Sequence, residues 1–250
     1  MWVLVTLYLL AVVGISFSAG LFLQYLADQG ISRRGIDPTI FPIYDFEDIW
    51  QNLAYLGYFF KIFPAFLIII SICNEFSYKT HRQNIIDGLS RTEFFLSKLS
   101  FAAFLAILSA LLILVLGLII GFAQSDTTAA NSIFRHIGFV PMHALQLFFY
   151  FLFAMFVAIV IRKTGYTIVF VLMYTIMIEP VAWAFLTYKE VTFADYLPLE
   201  SISSMVPFPF ARYILLETQN YLSFKSLAIG ATWGLVFSGF IFYRLRTKDF

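Results

Sequence analysis

Leu99-Ser-Phe-Ala-Ala-Phe-Leu-Ala-Ile-Leu-Ser-Ala-Leu-Leu-Ile-Leu-Val-Leu-Gly-Leu-Ile-Ile-Gly-Phe-Ala123 runs for twenty-five residues without a charge. A bilayer-crossing helix needs about 20 apolar residues, and this stretch exceeds that length. It is continuous rather than alternating, so a helix fits it and a barrel strand does not. Similar runs lie on both sides of it, roughly Trp2–Leu26, Leu53–Cys73, Met142–Ile161, Gly165–Leu186 and Ser226–Tyr243. The sequence therefore predicts an all-α membrane protein with six transmembrane helices in one domain over residues 1–250. The first run is too long for a signal-peptide core and lacks a basic leader, so it is read as a span.

Composition supports this class. Hydrophobic residues make up 61% of the 250 positions, charged residues 12%, and phenylalanine occurs 31 times. A water-soluble globule of this size could not bury so much apolar surface. A net charge of +1 excludes a nucleic-acid binder driven by bulk basicity. The single cysteine, Cys73, excludes a disulfide scaffold and a cysteine-based zinc site.

Sidedness follows from the lysines and arginines of the connections. Residues 74–98, 162–164 and the tail from Arg244 hold nine of the 16 basic residues and four of the 15 acidic ones. The other connections hold five basic residues and ten acids. The basic set is expected on the cytoplasmic side of a bacterial inner membrane, with both termini there. Trp2, Trp50, Tyr55, Tyr150, Trp183, Tyr188 and Tyr243 fall near the run ends, as interfacial anchors do. In the connection after the fifth run, Ile202-Ser-Ser-Met-Val-Pro-Phe-Pro-Phe210 is too apolar for a solvated loop. It is expected to form short outer helices on or in the membrane face.

The connection Asn74–Lys98 carries the most local signal. Thr80 with Gln83, and Ser90 with Glu93, have the spacing of capping boxes. Gly88 lies between them where a helix would end in a left-handed residue. Leu89 and Phe94 flank Ser90 at the spacing of a hydrophobic staple. The pattern predicts a short helix over about His81–Asp87, a sharp turn, and a second helix running into the third span. A two-turn helix is not stable alone. Ile85 and Ile86 must therefore fold back on this chain or meet a partner. Glu75 ends the second run, where the helix dipole disfavours an anion, and Arg82 or Arg91 could offset it.

The order Asn74-Glu75-Phe76, Thr80, Arg82-Gln83, Asp87-Gly88-Leu89-Ser90-Arg91-Thr92-Glu93 and Lys98, between the second and third of six runs, resembles the ABC-2 family of ABC-transporter permeases. Glu179-Pro180 and the proline-rich outer connection add weaker support. The resemblance implies an ATP-driven exporter in which two six-span subunits pair, as a homo- or heterodimer. A separate ATP-binding subunit would dock on a cytoplasmic coupling helix through Glu75, Arg82, Ile85, Ile86, Gly88, Arg91 and Glu93. It implies that ATP and Mg²⁺ are held by that partner, since no Gly-x-x-x-x-Gly-Lys-Ser/Thr sequence occurs here. One departure is the start: the family begins with a cytoplasmic amphipathic helix, whereas Trp2 follows Met1 directly. Either the start is displaced or one ATPase contact of the family is missing.

Two ionisable residues fall inside the runs. Lys61 is 12 residues from Cys73 and Glu179 is 14 from Gly165, so they lie roughly 18 and 21 Å along their helices from the basic side. They are expected to pair, directly or through water, either fixing helix packing or gating a pathway. Pro64 and Pro180 are expected to kink their helices. A secondary transporter or channel using Lys61 and Glu179 is a second reading, although no inverted repeat is visible. A non-transporting scaffold or membrane enzyme is a third. His81, His136 and His143 are scattered and form no metalloprotease motif, and Gly88-Leu-Ser-Arg91 lacks the partners of a serine nucleophile.

Overall fold

The structure, a computed structural model, describes residues 2–28, 43–80, 83, 86–88, 90–125, 129–210 and 221–247. Among these residues the chain is helical, with no strand. The helices are α1 (Trp2–Asp28), α2 (Ile49–Phe59), α3 (Ile62–Ser77), α4 (Arg91–Gln124), α5 (Ala130–Phe134), α6 (Phe139–Ile161), α7 (Thr164–Met173), α8 (Glu179–Tyr188), α9 (Pro198–Ser203) and α10 (Phe224–Thr247). Tyr174–Ile178 links α7 to α8 as π-helix, and Thr192–Tyr196 precedes α9 as a 3₁₀ turn.

Four helical segments are long and apolar enough to cross a bilayer, and α2 with α3 makes a fifth if that bent pair counts as one. α1 contributes the shorter apolar stretch Trp2–Ser18. The expected continuous span Leu53–Cys73 is corrected here: it is two helices meeting at 44°. The cause is local. Pro64 has no N–H to give the carbonyl four residues back. At the break the N–H groups of Phe60 and Lys61 turn to Gly57 (3.3 Å) and Tyr58 (3.1 Å), three residues back.

α6 is the axle of the bundle and packs on α4, α10, α3 and α2. Its Leu147, Tyr150, Phe151, Ala154 and Ala158 are fully buried. One half of the core gathers α3, α4, α6 and α10 around Ile69, Phe151 and Ile241. The other half gathers α1, α2, α4 and α6 around Trp50, Ile113 and Phe139. Trp50 is seated on Gly117, where a Cβ would lie 2.6 Å from the indole ring, and its Nε1 donates to the carbonyl of Ile133 at 2.7 Å. The segment Thr164–Tyr188 lies outermost, with only 11% of its apolar window buried.

Short connections at the end opposite residues 78–90 are held by side chains from the buried helices. Gln51 donates to the carbonyl of Pro207 (3.0 Å), and Gln146 to that of Ser203 (2.9 Å). Ile202, Met205 and Val206 are buried against the bundle. Of the run 202–210, expected as short helices, only Ile202 and Ser203 are helical, at the end of α9; the rest is turn and irregular chain that caps the bundle through Met205 and Val206, with Phe208 half exposed.

Candidate functional site

The hairpin between α3 and α4 begins at Ser77, where α3 ends, and Lys79 takes a left-handed conformation (φ 57°). Thr80, Gln83 and Ile86 are helical, and Asp87 donates its N–H to the Gln83 carbonyl at 2.8 Å. Gly88 then reverses the chain at φ 103°, a region costly for any residue with a Cβ. Ser90 caps α4: its hydroxyl accepts from the N–H of Glu93 (3.1 Å), whose carboxylate accepts from the N–H of Ser90 (2.7 Å). That bond and the Ser90 hydroxyl hold the Glu93 carboxyl below its ordinary pKa. Arg82, Ile85 and Leu89 lie outside the described residues.

Two contacts tie the base of the hairpin to the bundle. Glu75 forms an ion pair with Lys98, which also donates to the Ser71 hydroxyl at 3.3 Å. Of the two cations expected to offset this helix-end carboxylate, Arg82 lies outside the described residues, and Lys98, which sequence spacing did not single out, pairs with Glu75 because α3 and α4 cross there. Arg91 reaches the last turn of α10, donating to the carbonyls of Leu245 (3.2 Å) and Arg246 (2.6 Å). A cation there also complements the negative end of the helix dipole. Nearby, Arg162, left-handed at φ 60°, lays its guanidinium on the Phe76 ring at 4.8 Å. Burial and the neighbouring Arg244 hold it below its ordinary pKa.

Ile86 is 83% exposed and Tyr78 is 76% exposed, although both are large apolar side chains. Among its described residues the hairpin therefore has a braced base and, near its tip, one exposed apolar side chain, Ile86.

Lys61 and Glu179, expected to pair directly or through water, each have other close partners in the structure. No ion pair within 4.0 Å joins Lys61 to Glu179 among the described residues. Lys61 caps the break between α2 and α3, with its ammonium 3.8 Å above the Tyr58 ring and 4.8 Å from that of Tyr150. Such contacts replace part of the hydration an ammonium loses. Glu179 is buried, and its Oε1 accepts from the backbone N–H of Glu200 at 2.7 Å. Glu200 is the third residue of α9, whose N-cap position holds Leu197, a residue with no side-chain oxygen. Glu179 thus supplies from another helix the carboxylate that an N-cap side chain would provide. Lys61 feels Glu179 and Glu200 only through space. Pro180 follows directly, and the π-helical turn Tyr174–Ile178 absorbs the irregularity just before it.

A buried relay escaped the sequence reading. The hydroxyls of Tyr8 and Ser109 are hydrogen-bonded, and Ser109 Oγ lies 2.9 Å from Nε2 of His143. It joins α1, α4 and α6. Its only sequence signal is that three polar residues interrupt long apolar runs.

These features define a multi-helix protein of the multi-pass membrane class, with a braced hairpin at one end and a packed cap at the other. The chain belongs to the family described as "Protein of unknown function (DUF2705)", which matches residues 35–250. No match was found among curated proteins.

Proposed function

We propose that this chain is the membrane-spanning permease subunit of an ATP-driven exporter of the ABC-2 type. In this reading six helical spans cross a bacterial inner membrane, counting α1 and the bent α2–α3 pair as one span each. Both termini and the 78–90 hairpin face the cytoplasm, which agrees with the excess of lysine and arginine on that side. A separate subunit binds ATP with Mg²⁺ and grips the hairpin, and a second permease subunit completes the transport path. The chain itself carries no catalytic residue for ATP hydrolysis and acts mechanically. Nucleotide binding closes the partner, the hairpin moves as a lever, and the bundle shifts between access states.

The observation that carries this reading is the exposed Ile86 on a base held by Glu75–Lys98 and by Arg91. An apolar tip on a rigid base suits a groove in a partner protein. Gly88 permits the turn, and the Ser90–Glu93 cap starts α4 where the lever ends.

The test is co-purification with an ATP-binding protein encoded beside this gene. The wild-type chain is expected to retain that protein and to raise its ATPase rate. Ile86→Asp should release it while leaving the bundle's thermal stability unchanged, because Ile86 is exposed. Retention of the ATPase by Ile86→Asp with full stimulation would refute the docking assignment.

A further inference from the structure

A cavity of about 450 Å³ opens beside the packed cap, between α2, α9 and the start of α10. Its chemistry is distinctive. Tyr55 and Phe208 line it with rings 5.4 Å apart and nearly perpendicular, and Phe210 stands edge-on to both at 6.3 and 5.6 Å. Glu200 contributes a carboxylate whose Oε1 accepts from the Ser204 hydroxyl at 3.1 Å. Tyr221 and further serines complete the wall.

No lysine or arginine lines this cavity among the described residues, and Glu200 is in no ion pair there. Lys61 is held on the rings of Tyr58 and Tyr150. Glu179 and Glu200 both act on it through space, so these three described groups together carry one formal negative charge in excess. We propose that the cavity binds an organic ammonium ion, with the aromatic rings surrounding the cationic carbon–nitrogen centre and Glu200 supplying the counter-charge.

Alternatives fit less well. An anion would meet a carboxylate and, among the described lining residues, no lysine or arginine. A divalent metal ion needs six or more oxygen ligands of the Ca²⁺ type, or several histidine or carboxylate ligands in one place. No such group of three occurs among the described residues. A neutral apolar molecule would exclude water from the Glu200 carboxylate and add nothing to the hydrogen bond from Ser204. Aromatic rings next to a carboxylate are the usual recognition surface for substituted ammonium groups. The volume exceeds that of a simple alkylammonium headgroup, leaving room for part of its substituent. As a station for cargo the site rests on the exporter reading above. As a binding site it does not, so the experiment reads binding alone, without nucleotide or partner.

Purified full-length chain in detergent is titrated calorimetrically with tetrapropylammonium chloride, and separately with potassium benzenesulfonate as an organic anion of comparable size. The ammonium is expected to bind and the sulfonate to give no heat above dilution. Glu200→Gln should weaken ammonium binding at least tenfold. Phe208→Leu, which keeps an apolar side chain, should weaken it about fivefold. Unchanged ammonium affinity in both variants, equal binding of the sulfonate, or no binding of the ammonium to the wild-type chain would each overturn the assignment. Should Glu200→Gln fail to fold, Phe208→Leu and the anion comparison decide the matter. Failure here leaves the ATPase co-purification test untouched, and the converse also holds.

Discussion

The Glu75–Lys98 pair offers the sharpest test of how the hairpin is anchored. The side chains are 23% and 14% exposed respectively, so the pair lies between surface and interior. A surface pair contributes about 0–1 kcal/mol. Removing one partner of a buried pair costs about 3–5 kcal/mol, because the other charge is left uncompensated. At this exposure Lys98→Met is expected to cost about 2 kcal/mol. It takes from Glu75 the ammonium that pairs with it at the end of α3, where the helix dipole already opposes an anion. Glu75→Gln should cost less, about 1 kcal/mol, since Lys98 keeps the Ser71 hydroxyl and can reach water. With both changes no charge is stranded, so the double variant should be more stable than the sum of the singles predicts by about 1 kcal/mol. The assay is reversible unfolding in detergent for all four proteins, followed by limited proteolysis at Lys79 to read the hairpin itself. Strict additivity, or a larger loss from Glu75→Gln than from Lys98→Met, would refute the account of a charge pair anchoring the lever.

Three further outcomes follow from the same geometry. Arg91→Gln removes the fork that holds the carbonyls of Leu245 and Arg246, and should destabilise the last turn of α10 by about 1–2 kcal/mol. Faster amide exchange over 241–247, with no change in α6, is the expected signature. Gly117→Ala places a Cβ against the Trp50 ring and should cost about 1–3 kcal/mol, visible as altered tryptophan fluorescence with a lower melting temperature. The Ser90–Glu93 cap should respond to acid. Since the Glu93 carboxyl is held below its unfolded pKa, the cap's contribution is complete above the ordinary carboxylate range and fades as pH falls through the folded value. Exchange protection of the α4 N-terminus should drop there in the wild-type chain and show no such drop in Glu93→Gln.

Much of this architecture could be read from the sequence because the determinants are local. Helix α4 starts at Ser90 since Ser90, Glu93 and Gly88 fix its entry within one turn, and its apolar run is uninterrupted. The apolar character of 202–210 likewise betrayed a packed segment. What stayed hidden depends on helix crossing. Lys98 and Arg91 are seven residues apart on one helix, yet one meets Glu75 and the other the end of α10. Depth along the helices put Lys61 and Glu179 at one level, but it could not show the backbone amide of Glu200 against Glu179 or the rings of Tyr58 and Tyr150 beside Lys61. The break at Lys61 was anticipated as a mild kink at Pro64, but proline acts on the carbonyl four residues earlier, so the bend falls upstream of the ring. The Tyr8–Ser109–His143 relay joins positions 101 and 34 residues apart, beyond the reach of any periodicity.

The grip of Arg91 on α10 has a mechanical corollary. That helix is an unbroken rod of 24 residues, about 36 Å long, clasped at Leu245 and Arg246. Its other end begins beside Ser223 and Ser226, which border the aromatic chamber. Pulling on the clasp would therefore draw one wall of that chamber along the bundle axis, with no moving part between handle and wall.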